Sequence, residues 1–157
     1  MTDTQSPEDT LVLETSKGRV VIALRPDLAP NHVARIKELA RENFYDGIVF
    51  HRVIDGFMAQ TGDPTGTGTG GSGKNLAAEF SNEKHVRGTC SMARAMSPDS
   101  ADSQFFICFG DAPWLDGQYS VWGQVVEGME NVDQIKRGEP VMDPDQIVTM
   151  RVAADLE

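Results

Sequence analysis

Phe50-His51-Arg52-Val53-Ile54-Asp55-Gly56-Phe57-Met58-Ala59-Gln60 is the stretch on which the reading of this chain turns. It divides into two short β-like runs at Asp55-Gly56. That dipeptide favours a tight reversal, because glycine accepts a positive φ and the aspartate side chain can bond its own backbone. A hairpin is therefore predicted. Its content is unusual. Arg52 stands among apolar residues, where an arginine needs a partner or a role. Phe57, Met58 and Gln60 follow, two apolar side chains and one neutral amide. A cation beside an apolar shelf, with an amide to hold a backbone, suits an uncharged peptide ligand.

Around this hairpin the chain alternates short β-rich runs with turns. Residues 11–15 and 19–24 flank Lys17-Gly18 and predict an opening hairpin. Pro30 suits the first position of a helix, and Val33, Ile36, Leu39 and Ala40 recur at helical spacing, so a helix is predicted over 30–42. Residues 61–75 form a long glycine-rich loop, a length that points to function. Further strands are predicted at 88–93, 104–109, 120–126 and 147–153, and a short second helix at 129–137, ended by Gly138. Many short strands with turns between them favour a mainly β fold: a closed eight-stranded antiparallel barrel capped by two α-helices.

The 157 residues fit one domain, with 39% hydrophobic and 24% charged residues, the profile of a globular chain. No apolar run approaches the ~18 residues of a membrane-spanning helix. Residues 1–10 are polar and lack a basic-then-apolar pattern. They are expected to be a flexible lead, with the domain at 11–157 and the cytoplasm as compartment. The net charge of −10 argues against nucleic acid and anionic membranes as partners. Cys90 and Cys108 are expected to be buried free thiols. No His/Cys/Asp cluster has ligand spacing, so no metal or cofactor is expected.

The run FHRVIDGFMAQTGD at residues 50–63 resembles the FHR…GFM.QGGD motif of the cyclophilins, a family of peptidyl-prolyl isomerases. Ser103-Gln104-Phe105-Phe106-Ile107 and Trp114-Leu115-Asp116-Gly117 resemble later motifs of that family in the same order, and the resemblance covers residues 11 to the end. It implies a barrel with helices at its ends, an isomerase acting at Xaa-Pro bonds, and proline-containing polypeptides as partners. It also implies Arg52 as the catalytic residue, and Phe57, Met58, Phe106 and Leu115 as the lining of a proline pocket. Trp114 edges that pocket. Gln60, Gln104 and the backbone of Ala93, Arg94 and Ala95 hold substrate amides. Gly68 and Thr69 belong to a loop beside the groove. Tyr119 stands where many members have His, and Arg94 where many have Asn, as in bacterial members. Both changes bear on sequence preference and on cyclosporin binding, which Trp114 favours in the family. A monomer is expected.

The chemistry is accessible from first principles. An Xaa-Pro bond turns against a barrier of about 18–20 kcal/mol. In the twisted state the prolyl nitrogen recovers its lone pair and becomes an acceptor. A guanidinium aimed at it binds that state better than either planar one, which is what catalysis requires. Taken singly, Phe57 and Met58 would be core and Arg52 a surface ion pair; one of the adjacent Phe105 and Phe106 would be core while the other lines a pocket. His51, beside Arg52 on one strand, is expected to be structural, and His32 and His85 to be surface or capping residues. Gly68 to Asn75 imitates a phosphate-binding loop, but Asn75 replaces the metal-holding hydroxyl and no strong helix follows. A non-catalytic proline-binding module is the other rival, and it has no need of Arg52.

Overall fold

The predicted hairpin is present in the computed structural model, which describes residues 7–156. Strands β1 (Thr10–Thr15), β2 (Gly18–Leu24), β3 (Arg52–Ile54), β4 (Met58–Thr61), β5 (Thr89–Met92), β6 (Phe105–Cys108), β7 (Val121–Glu127) and β8 (Ile147–Val152) form one sheet. Their spatial order is β3-β4-β6-β5-β7-β2-β1-β8, and the pairings are antiparallel. A short 3₁₀ turn at Pro7–Asp9 leads into β1. Residues 1–6 of the expected lead lie outside the described residues.

The expected closed barrel needs correction. The sheet curls strongly, but no ladder pairs its edges β3 and β8. They meet just outside the strands, where Val49 bridges Gln146 and the Phe50 N–H donates to Asp145 O at 2.8 Å. The reason lies at the free side of β3. Val53 exchanges two backbone hydrogen bonds of 2.8 Å with Gly138, so a later segment already occupies that edge.

Helix α1 (Pro30–Arg41) starts on Pro30 as predicted, and its buried face carries Val33, Ile36, Leu39 and Ala40. Its first turn has no cap of its own. The Glu79 carboxylate supplies one from afar, accepting from Asn31 N at 3.0 Å and His32 N at 2.9 Å. His32, expected to be a surface or capping residue, is not at the surface: it is buried, with Nε2 at 2.9 Å from Ala77 O. Helix α2 (Met129–Val132) is shorter than predicted. Beyond it, Gln134 and Ile135 donate three residues back, and the Arg137 guanidinium takes the carbonyls of Asp133 and Ile135. The chain must turn there to bring Gly138 to β3.

The two faces of the sheet serve different ends. On the inner face Phe105 meets Trp122 and Tyr45 edge-on, at 5.2 and 5.6 Å between ring centroids, inside the main core. On the outer face a smaller apolar cluster gathers Met58, Phe106, Cys108, Ala112 and Leu115. Phe105 and Phe106 thus point opposite ways, as adjacent strand residues must. Cys90 and Cys108 are buried free thiols; burial pushes the Cys108 thiol up to about 12.

Gly62 joins β4 to the glycine-rich loop with a φ of 99°. A Cβ there would stand 2.4 Å from Ser103 O and 2.8 Å from Gln104 Cα, both backbone atoms. Gly62→Ala should therefore cost more than about 2 kcal/mol, from both the conformation and the clash. Urea denaturation would measure it, and a midpoint equal to that of the unaltered chain would contradict this account.

Candidate functional site

Antiparallel register builds the site. Arg52 on β3 lies directly opposite Gln60 on β4, Gln60 opposite Phe106 on β6, and Phe106 opposite Ser91 on β5. Two residues along, Ile54 faces Met58 and Met58 faces Cys108. Directly opposed side chains share a face and lie within contact distance. The sheet therefore sets a cation, an amide and a phenyl ring in one row, with Met58 beside them.

This row borders a cavity of about 120 Å³. Phe57, Met58, Phe106, Leu115 and Tyr119 form its walls, while Arg52, Gln60, Ala93 and Arg94 stand at its lip. Trp114, on a 3₁₀ turn at Pro113–Leu115, is 63% exposed and does not line the cavity. It leans on Phe57 at 5.5 Å between ring centroids and so flanks the pocket from outside. A second cavity of about 460 Å³ adjoins the first and shares Gln60, Ala93 and Arg94 with it. Gly68, Thr69, Ala95 and Gln104 line this one.

The polar groups are chained together. Arg52 Nε donates to Glu139 Oε2 at 2.8 Å and Arg52 Nη1 to Gln60 Oε1 at 3.1 Å. Gln60 Nε2 donates to Gln104 Oε1 at 2.9 Å, and Gln104 Nε2 donates to the carbonyls of Gly68 and Gly70, each at 3.0 Å. A guanidinium has five N–H donors. Two are engaged, and Nη2 has no hydrogen-bond partner among the described residues. Gln104 uses both N–H groups to fix the loop, while its amide oxygen takes one hydrogen bond from Gln60 and keeps a second lone pair. The Ala93 N–H donates to Gln104 O at 3.0 Å and the Ala95 N–H to Ser100 Oγ at 2.8 Å, so those two donors are also occupied. Arg94 folds back over the Tyr119 ring at 4.8 Å and donates from Nε to Gln118 O at 3.0 Å.

Behind the pocket sits a residue expected to be a surface or capping residue. His85 is buried, its ring nearly parallel to Phe106 at 6.2 Å and edge-on to Tyr119 at 6.4 Å. Nε2 lies 3.0 Å from Ser91 Oγ and Nδ1 lies 3.1 Å from Asp116 Oδ1. Burial holds the His85 imidazole below its ordinary value, outweighing the pull of Asp116. No local pattern announces this role, because Asp116 is 31 residues away in the chain. His51, next to Arg52, is buried against Gly68, and its two ring nitrogens have no hydrogen-bond partner among the described residues.

Two carboxylates organise the glycine-rich loop. Asp63 accepts from the N–H groups of Thr65, Thr67 and Gly68 and from Thr65 Oγ1. Asp102 accepts from the N–H groups of Ser72, Gly73 and Lys74 and from Ser72 Oγ. No helix follows; Leu76 makes an isolated bridge to Ala101. Among the described residues no group of three or more His, Cys, Asp or Glu could hold a metal ion, and no helix is long and apolar enough to cross a membrane.

A profile described as cyclophilin type peptidyl-prolyl cis-trans isomerase/CLD matches residues 10–153. A probable peptidyl-prolyl cis-trans isomerase of Brucella suis biovar 1 is 52% identical over 166 residues, covering 95% of this chain and 85% of the relative. A peptidyl-prolyl cis-trans isomerase of Helicobacter pylori is 46% identical over 131 residues, covering 81% of this chain and 80% of the relative. Among solved structures, cyclophilin AquaCyp293 from Hirschia baltica superposes with a TM-score of 0.91 at 30% identity, covering 99% of this chain and 77% of the other. A Cryptosporidium parvum cyclophilin-type isomerase, crystallised in the presence of the dipeptide Ala-Pro, gives 0.85 at 29% identity, covering 91% of this chain and 98% of the other.

The loop anchor has a pH signature. Asp63 is buried, which alone would raise its carboxyl; the hydroxyl and N–H donors around it outweigh this and hold it down at about 2. A carboxyl depressed in the fold contributes stability that is fully present above its unfolded value near 4 and is lost as pH falls from there through about 2. The contribution is about 2–3 kcal/mol. Denaturation at pH 7 and pH 3 should show a smaller acid loss in Asp63→Asn than in the unaltered chain. Parallel losses in both proteins would show that another group titrates.

Proposed function

The chain belongs to the cyclophilin-type peptidyl-prolyl cis-trans isomerases, and from that premise we propose that residues 11–157 act as one catalytic domain on Xaa-Pro bonds, with Arg52 stabilising the twisted amide. One observation carries the reading. Arg52 and Gln60 stand opposed in register at the lip of the 120 Å³ cavity walled by Phe57, Met58, Phe106, Leu115 and Tyr119, and Nη2 of the guanidinium has no hydrogen-bond partner among the described residues. The prolyl ring enters between Phe57, Met58, Phe106 and Leu115. Insertion removes water, which would otherwise favour the polar planar amide. Gln60 donates one N–H to Gln104 and keeps a second for the substrate backbone.

Rotation then turns the prolyl nitrogen towards Arg52. In the planar amide its lone pair is shared with the carbonyl and accepts nothing. As the C–N bond twists, the lone pair localises and receives a guanidinium N–H. No bond breaks and no proton is transferred. A charge-assisted hydrogen bond gained only in the twisted state contributes about 1.5–3 kcal/mol, or about ten- to a hundredfold in rate.

Gly68, Thr69, Ala93, Arg94 and Ala95, around the larger cavity, meet the residues that flank proline. Trp114 and Tyr119 shape the rim, and Trp114 supports cyclosporin binding. The substrates are proline-containing segments of folding chains, met in the cytoplasm by a monomer. The neighbour crystallised with Ala-Pro supports this substrate class.

Arg52→Ala should lower kcat/KM for an Ala-Pro peptide about ten- to a hundredfold while leaving the circular dichroism spectrum unchanged. An unchanged rate would refute the mechanism and favour a binding module. Because no acid or base takes part, kcat/KM should show no bell-shaped dependence from about pH 6 to 9. A bell-shaped profile in that range would reveal a titrating group in the chemistry.

A further inference from the structure

The segment after α2 docks on the hairpin in antiparallel order. Arg137 Nε donates to Asp55 Oδ1 at 3.1 Å. Gly138 and Val53 exchange two backbone hydrogen bonds of 2.8 Å. Glu139 Oε2 accepts from Arg52 Nε at 2.8 Å. The Val141 N–H donates to His51 O at 3.1 Å. Moving forward along the segment therefore runs backward along the hairpin, from 55 to 51. Glu139 meets Arg52 because the backbone bridge at Gly138 leaves it directly across from that residue, not because a long side chain has wandered to the nearest charge.

We propose that Glu139 is a positioning residue for Arg52. Its carboxylate takes the Nε–H edge of the guanidinium, Gln60 takes one Nη1 N–H, and the two together fix the plane so that Nη2 faces the proline cavity. This rests on the reading of Arg52 as the group that meets the prolyl nitrogen. A guanidinium held at one point swings about its stem; held at two it has one orientation, and the catalytic hydrogen bond no longer includes the cost of choosing it. The pair is partly solvated, with side-chain exposures of 40% for Arg52 and 59% for Glu139. The effect is correspondingly small, as for exposed ion pairs in general.

The test uses the whole chain and an Ala-Pro peptide. Glu139→Ala should lower kcat about two- to fivefold with KM unchanged. Glu139→Gln keeps an oxygen that accepts from Nε and should recover most of that loss. In an Arg52→Ala background, Glu139→Ala should change nothing further. A second readout is independent of activity: the ¹⁵N-detected Nε–H of Arg52 should exchange with solvent faster in Glu139→Ala than in the unaltered chain. Four results have definite meanings. A kcat that rises in Glu139→Ala would show that the carboxylate masks the guanidinium and would overturn the proposal. A KM that rises with kcat unchanged would make Glu139 a substrate contact and would also overturn it. Unchanged kcat and exchange in Glu139→Ala, with a large loss in Arg52→Ala, would refute the positioning role and leave the Arg52 mechanism standing. An Arg52→Ala enzyme as fast as the unaltered one would remove the mechanism itself, and this proposal with it.

Discussion

The register between β3, β4 and β6 is the constraint on which the site depends. It places Arg52, Gln60 and Phe106 across from one another on one face of the sheet. Strand side chains alternate, so a one-residue slip would exchange Arg52 for the buried His51 or Val53 and send the cation into the core. Register is therefore protected by burial on the inner face. Val53, Ala59 and Ile107 run in a row there and are fully packed. The outward row of Arg52, Gln60 and Phe106 is a consequence of an inward requirement.

From that row a relay of hydrogen bonds extends in both directions. One arm runs through Gln60 and Gln104 to the carbonyls of Gly68 and Gly70, and the other through Glu139 to the segment that seals the edge of β3. Each amide in the chain uses its oxygen for one neighbour and its N–H groups for the next, so the orientation of one residue fixes that of the rest. The pocket beside it is held from behind by packing. His85, wedged between Phe106, Tyr119, Ser91 and Asp116, backs the walls of the cavity.

Much of this was legible in the sequence, and the part that was not has a common cause. All eight strands, α1, the hairpin at Asp55-Gly56 and the opposite facing of Phe105 and Phe106 follow from local periodicity and turn chemistry, which act over a few residues. The departures come from contacts between distant residues. Glu79 caps α1 from 48 residues away and takes the place of a local cap. Asp116 and Ser91 draw His85 inside, although its own neighbours in the chain, Lys84, Val86 and Arg87, look like a surface stretch. The open seam has the same origin, because nothing in residues 50–54 reveals that Gly138 will take the free edge. Glu139 gave no signal for the same reason, since an acidic residue beside a turn is ordinary until the chain is seen to bring it to Arg52.

The glycine-rich loop carries the comparison one step further. Its resemblance to a phosphate-binding loop has a physical basis, since closely spaced glycines let successive N–H groups converge on an anion. That is what residues 65–74 do, but the anions are the protein's own carboxylates, Asp63 and Asp102. A Cβ at Gly70 would lie 2.4 Å from Asp63 Oδ1, and one at Gly71 would lie 2.6 Å from Asp102 Oδ2. The glycines are needed so that the backbone can approach those oxygens, just as they would be for a phosphate. The same composition serves a different end because the charge is supplied from within. With these N–H donors taken by internal carboxylates, the loop's carbonyls remain available as acceptors. It is the carbonyls of Gly68 and Gly70 that then receive Gln104, and through Gln104 and Gln60 the loop helps to hold the guanidinium at the mouth of the pocket.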